Sequence, residues 1–89
     1  MIEVSANKTI YKVEGKVMGE VIYPSINDNT VNINHTFVDP SLRGQGIAGK
    51  LMTEVFKYLR KNNKKVICTC SYAASWLEQH PEYYELKVD

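Results

Sequence analysis

The chain has 89 residues, with 11 basic side chains against 10 acidic ones and a net charge of +1. That length fits one domain, residues 1–89, which buries roughly 60–65% of its unfolded surface and folds with a modest margin. The near-even balance gives no reason to expect nucleic acid or an acidic membrane as partner, and no apolar run approaches the ~20 residues that cross a bilayer.

Met1-Ile2-Glu3-Val4-Ser5 lacks the basic start and apolar stretch of a signal peptide, so the cytoplasm is the expected compartment. Thr9 to Glu14, with Ile10, Tyr11 and Val13, predicts a strand that stops at a Gly15-Lys16 turn. A second strand is expected over Lys16 to Ile26, carrying Val17, Val21, Ile22 and Tyr23, with Pro24 making its far end an edge or a bulge. Asn27-Asp28-Asn29 is a strong turn signal, since these side chains tolerate left-handed backbone. Thr30 to Val38 then alternates. Val31, Ile33, His35 and Phe37 are expected on one face, with Asn32, Asn34 and Thr36 on the other. The three strands predict an antiparallel meander.

Asp39-Pro40-Ser41 breaks the third strand, and from about Gly46 to Asn62 the apolar period becomes 3.6. Ile47, Leu51, Val55 and Leu59 fall four apart, with Ala48 and Met52 widening the stripe. Val66 to Cys70 reads as a short buried strand after a crossover helix. Ser71 to Gln79 predicts a second helix with Ala73, Trp76 and Leu77 inward, ended by His80-Pro81. Tyr83 to Val88 reads equally as strand or coil. The class is α/β (α+β): a small mixed, mainly antiparallel sheet with a crossover helix and a second short helix. Cys68 and Cys70 have one residue between them, which misses the spacing of zinc knuckles and redox motifs, so both are expected as free thiols and no metal is expected.

Arg43-Gly44-Gln45-Gly46-Ile47-Ala48 lies where the strand passes into the helix. A helix start leaves backbone N–H groups without internal partners, and the aligned peptide dipoles add positive potential. Gly44 and Gly46 remove side chains that would hold an anion off, and Arg43 adds a charged donor. The segment therefore predicts a cradle for a phosphate or pyrophosphate. It lacks the Lys-Ser/Thr ending of a nucleotide P-loop and the three-glycine spacing of a dinucleotide fingerprint. Its ordinary structural role would be a helix-starting turn in contact only with solvent.

At these residues the sequence resembles the GNAT acetyltransferase superfamily, whose acetyl-CoA signature is Gln or Arg, two residues, Gly, one residue, then Gly or Ala. Arg43, Gly46 and Ala48 match it, flanked by Val38-Asp39-Pro40-Ser41-Leu42 and Gly49-Lys50-Leu51-Met52. The likeness covers Val31 to Tyr72 well. With Cys70-Ser71-Tyr72 and Pro81-Glu82-Tyr83, the whole chain is similar to the minimal single-domain YjdJ-type subgroup, which lacks most of the helical region that shapes an acceptor site in larger relatives. The resemblance implies a minimal GNAT fold in which two neighbouring strands, Thr30 to Val38 and Val66 to Cys70, splay apart around acetyl-CoA as co-substrate. It further implies that the backbone of Phe37 and Val38 meets the pantetheine. Arg43, Gly44, Gln45, Gly46, Ile47, Ala48, Gly49 and Lys50 would meet the pyrophosphate.

Acyl transfer needs an available nucleophile, a base and stabilisation of the oxyanion. His35 and Cys70 are the candidates, each with an ordinary role as a core residue. Neighbouring strands would bring both to the gap, where a histidine lowers a thiol pKa, and the resemblance implies a Cys–His pair at these two positions. Either the Cys70 thiolate carries the acetyl group, or His35 is the base for direct attack by an amine and Cys70 only packs. Tyr72 is a candidate to protonate the leaving thiolate, against an ordinary role in the core. Cys68 reads as core, Trp76 and Tyr83-Tyr84 as core or lid aromatics, and Arg60 to Lys65 as a solvated helix end with a secondary role in attracting the coenzyme. The expected function is N-acetyl transfer from acetyl-CoA to an unidentified amine or protein acceptor, by a monomer or weak dimer. The alternatives are a non-catalytic coenzyme A-binding sensor or interaction module, and a binder of some other phosphate.

Overall fold

A computed structural model of the protein describes residues 1–88. Seven strands and two α-helices follow one another: β1 (Ile2–Val4), β2 (Lys8–Val13), β3 (Lys16–Ile22), β4 (Ser25–Asn27), β5 (Thr30–Ile33), β6 (His35–Val38), α1 (Ile47–Lys61), β7 (Lys65–Cys68) and α2 (Ser71–Glu78). Short 3-10 turns cover Pro40–Leu42 and Pro81–Leu86. One sheet has the order β1-β2-β3-β6, antiparallel throughout; the other has the order β4-β5-β7, with β5 parallel to β7.

The β2–β3 hairpin turns on Glu14 and Gly15, both at positive φ (49° and 80°). That backbone matches the right-handed twist of the strands it joins. The expected second strand, Lys16 to Ile26, ends early. Pro24 cannot donate to a ladder, so β3 stops at Ile22 and the chain re-enters as the separate β4. The expected third strand is also two. At Asn34 the chain leaves the pairing with β7 and takes up one with β3, giving β5 and β6. The short β1 was not foreseen.

Helix α1 buries Ile47, Leu51, Met52, Val55, Phe56 and Leu59 against Val21, Tyr23, Val31, Ile33 and Val66, on the four-residue spacing that its sequence shows. Tyr23 is fully buried, yet its polar end is satisfied. Its hydroxyl donates to the Ser5 carbonyl (2.7 Å) and accepts from the Thr9 hydroxyl (2.8 Å). At the other end of the core Phe56 stacks on Trp76 at 5.0 Å and lies 5.4 Å from Tyr83. Trp76 and Tyr83 are thus core residues, while Tyr84 is exposed. The segment after Pro81 is a 3-10 turn. Lys87 then bridges to Val66, and the Val88 N–H donates to the Val66 carbonyl (3.1 Å). Among the described residues no helix is long and apolar enough to cross a membrane.

Candidate functional site

The break at Asn34 creates the site. Up to Ile33, β5 runs in register with β7, and the Ile33 carbonyl accepts from the N–H groups of both Thr69 and Cys70 (3.1 Å each). Asn32 ties the same point, its Oδ1 accepting from the Thr69 N–H (3.2 Å) and hydroxyl (3.0 Å). Beyond it the partners part: β6 joins β3, and the chain after β7 turns into α2. The edge of β6 that faces away from β3 therefore has no strand partner among the described residues. The Asp39 N–H bonds the Met18 carbonyl (2.7 Å), so the antiparallel alternation points the backbone groups of Phe37 at β3 and those of Thr36 and Val38 at the gap. The backbone of Val38 thus faces the gap, whereas that of Phe37 does not, because its N–H and C=O are used within the sheet.

At the end of β6, Asp39 caps the Pro40–Leu42 turn, its Oδ1 accepting from the Ser41 N–H (2.9 Å) and hydroxyl (2.7 Å). These bonds hold the Asp39 carboxyl below the usual carboxylate range. Gly44 (φ 86°) and Gly46 (φ 73°) then carry the chain through left-handed backbone into α1, and Gly46 is the helix N-cap. The first intrahelical bond runs from the Lys50 N–H to the Gly46 carbonyl (3.1 Å). The N–H groups of Ile47, Ala48 and Gly49 precede it and have no intrahelical carbonyl to meet. The first turn of α1 holds no carboxylate that would offset the positive helix end. Above these groups lies a cavity of about 350 Å³ lined by Thr36, Val38, Leu42, Arg43, Gly44, Gly46, Ile47, Ala48, Gly49 and Tyr72. Gln45 and Lys50 are exposed beside it and do not line it. Leu42 and Thr36 belong to this wall and went unnoticed in the sequence.

Cys70 follows β7 and is the N-cap of α2. Its thiol lies 3.5 Å from the Thr36 hydroxyl, across the gap. Burial opposes ionisation of this thiol, but bonds to the Thr36 side chain and to the backbone N–H groups of Ala73, Tyr72 and Thr36 outweigh it. Its pKa is held below the ordinary value. Cys68, deeper in β7, is pushed the other way by burial and by neighbouring Cys70, to about 11. Alkylation by iodoacetamide should therefore label Cys70 at a lower pH than an ordinary cysteine and leave Cys68 unlabelled at pH ~8; peptide mapping across a pH series checks both. Tyr72, 40% exposed, turns its ring to the cavity, and burial raises its pKa so that the phenol keeps its proton.

His35 is not where the alternation put it. Ile33 is fully buried, but the break at Asn34 shifts the parity, so Thr36 and Val38 face inward while His35 and Phe37 face out. A shift of one residue turns every later side chain to the other face. The His35 Nε2 stands 3.3 Å from the Glu20 carboxylate, and no hydrogen bond joins it to Cys70. The basic stretch is also accounted for structurally. Arg60 pairs with Glu85 (2.7 Å), Lys64 bonds the Asp28 carbonyl, and Lys65 the Glu85 carbonyl (2.6 Å). All three lie at the far end of a 15-residue helix, roughly 20 Å from the cradle.

The profile of the GCN5-related N-acetyl-transferase family matches residues 8–86. A GCN5-like protein from Staphylococcus aureus, determined in solution by NMR, is 34% identical and superposes with a TM-score of 0.78, covering 99% of this chain and 87% of that one. Protein NATD1 of Xenopus tropicalis is 28% identical over 61 residues, which make up 68% of this chain and 56% of that protein. A GNAT family acetyltransferase from Elizabethkingia anophelis, crystallised with acetyl-CoA, shares the fold at 20% identity (TM-score 0.63), over 81% of this chain and 50% of its own length. With the splayed strands and the glycine cradle at the start of α1, these matches establish that the chain belongs to the GCN5-related N-acetyltransferase family.

Proposed function

We propose that this protein is an acetyl-CoA-dependent N-acetyltransferase. The observation that carries the reading is the joining of two features: an anion cradle at the start of α1 opens onto the unpaired edge of β6 where that strand leaves β7. The pyrophosphate of coenzyme A fits the N–H groups of the Gly44–Gly49 stretch with Arg43 at the rim. The pantetheine amides fit the gap-facing backbone groups of Val38 and the Thr36 carbonyl, as an added strand would, the Thr36 N–H being taken by the Cys70 thiol. The acetyl-CoA held by the Elizabethkingia anophelis protein supports the same ligand here.

Cys70 and His35 are assigned to the chemistry as separate groups on opposite sides of the gap. On the helix side, the Cys70 thiolate attacks the thioester carbonyl. The bond from carbon to the coenzyme sulfur breaks, and that sulfur leaves with the electron pair and takes a proton from Tyr72. An amine then attacks the acetyl carbonyl; the C–N bond forms as the bond to the Cys70 sulfur breaks, that sulfur leaves as the thiolate, and the amine proton goes to Tyr72. In direct transfer, the ammonium gives a proton to His35 and the amine attacks the thioester itself; the C–S bond breaks, the coenzyme sulfur leaves with the electron pair and takes the second amine proton, and Cys70 stays free. Intact mass after incubation with acetyl-CoA decides between these routes: an acetyl adduct absent from Cys70→Ala identifies the first, and undiminished turnover by that variant identifies the second.

Titration with coenzyme A, acetyl-CoA and ATP, followed by amide chemical shifts, tests the binding. The first two should shift Gly44 to Lys50, and the absence of shifts would remove both the enzyme and any coenzyme A sensor. Release of free thiol with a panel of amines and peptides separates the enzyme from a non-catalytic binding module, which would bind without release.

A further inference from the structure

The end of β7 is out of step with the strand before it. The Lys65 N–H bonds the Asn29 carbonyl (2.7 Å) and the Thr69 N–H the Ile33 carbonyl (3.1 Å), as alternate residues of a parallel strand do. Continued alternation would turn the Cys70 N–H away from β5, yet it meets the same Ile33 carbonyl, also at 3.1 Å. Two successive residues share one acceptor, as at a β-bulge, and the pairing ends there. The step delivers Cys70 to the N-cap of α2, where its carbonyl accepts from the Ala74 N–H (3.0 Å). It also stands the thiol 3.5 Å from the Thr36 hydroxyl.

Half-buried Asn32 holds this step in place. Its Oδ1 accepts from both the N–H (3.2 Å) and the hydroxyl (3.0 Å) of Thr69, so one side chain grips the neighbour of Cys70 at two points. Asn32 is itself anchored: its N–H donates to the Pro24 carbonyl (2.9 Å), and the register sets it beside Ile67. The residue type suits the position. A carboxylate would accept the same two bonds, but its charge would oppose a thiolate one residue beyond Thr69, whereas the amide oxygen is a neutral acceptor.

We propose that Asn32 is a positioning residue for acetyl transfer: by pinning Thr69 it sets where the Cys70 sulfur stands in the gap. The proposal rests on the acetyl-cysteine route and adds to it a residue outside the lining of the coenzyme cavity, which acts only through Thr69 and Cys70. In that route the bond from the Cys70 sulfur to the acetyl carbon forms as the C–S bond to the coenzyme breaks. The coenzyme sulfur leaves with the electron pair and takes the Tyr72 proton. The approach of sulfur to carbon is sensitive to place, and a displacement of ~1 Å costs on the order of a hundredfold in rate. Without the Asn32 acceptor Thr69 is held by the shared Ile33 carbonyl alone. Cys70 then drifts from Thr36 and from the N–H groups of Tyr72 and Ala73 that bond its sulfur.

The test compares Asn32→Ala, Thr69→Val and Thr69→Ser with the unaltered protein. Each is treated with saturating acetyl-CoA and, separately, with iodoacetamide across a pH series. Asn32→Ala loses both bonds, Thr69→Val loses one, and Thr69→Ser keeps both. The rate of acetyl adduct formation on Cys70, read by intact mass, should fall about tenfold or more in Asn32→Ala and by less in Thr69→Val. Thr69→Ser should stay within about twofold of the unaltered protein. Alkylation of Cys70 should move to higher pH in the same order, with Cys68 still unlabelled at pH ~8 and coenzyme A affinity unchanged by calorimetry. An unchanged adduct rate and alkylation profile in Asn32→Ala would overturn the proposal. So would labelling of Cys68 in that variant, since it would show a general loosening and not a misplaced thiol. If Asn32→Ala does not fold, Thr69→Val, altered at an exposed position, decides alone: an unchanged rate overturns the proposal and a slower one supports it. A profile that moves as expected, with no acetyl adduct on any of the proteins, would remove the cysteine route and keep Asn32 as the residue that positions the thiol.

Discussion

Alanine in place of Gly46 is expected to weaken coenzyme A binding about tenfold or more and to cost about 1–2 kcal/mol of stability. Gly46 sits at φ 73° as the N-cap of α1, and nothing lies within 4 Å of where a Cβ would be. The cost is therefore backbone strain and not a clash. Relief of that strain means leaving the left-handed region, which reorients the Gly46–Ile47 peptide at the start of α1. Calorimetric titration with coenzyme A and thermal unfolding measure the two effects separately. A stability loss with unchanged affinity would show that the phosphate lies elsewhere. Gly44, at φ 86° and equally open, should behave alike.

Phe56→Ala should destabilise the protein by about 3–5 kcal/mol. The ring is completely buried between Trp76 and Tyr83, so the substitution removes its apolar area and leaves a cavity among rigid aromatic neighbours. Domains of this length have roughly 4–13 kcal/mol in total, so the loss is a large share of the stability. At about 4–8 °C per kcal/mol for a chain this size, calorimetry should show the Tm falling by at least ~12 °C. A fall of only a few degrees would mean that α2 and the C-terminal turn are loosely attached to α1.

Much of the frame was legible because it depends on local rules. The apolar residues of α1 recur at the spacing of one helix face. The glycines before it need left-handed backbone, and both have it. The hairpin at Gly15 and the strand before Cys70 follow from residues at those positions, whereas the second strand, expected to run on to Ile26, stops at Ile22. Cys70 itself was read as the end of a strand. It is instead the first residue of a helix start, which changes its chemistry: α2 and Thr36 bias the thiol toward its thiolate without His35.

The sequence by itself determined the glycine-bearing start of α1, along with the core stripe of α1 and the family. The tertiary structure decided which side chains face the gap. The alternation from Val31 to Phe37 runs on without interruption, so nothing in it marks a change of face. The change comes from partner strands distant in the chain: β7 holds Thr30–Ile33, β3 holds His35–Val38, and the two sheets diverge at Asn34. That one-residue offset sends Thr36 to Cys70 and His35 to Glu20. An offset imposed by long-range pairing has no local periodicity, and so it appears only once the strands are paired.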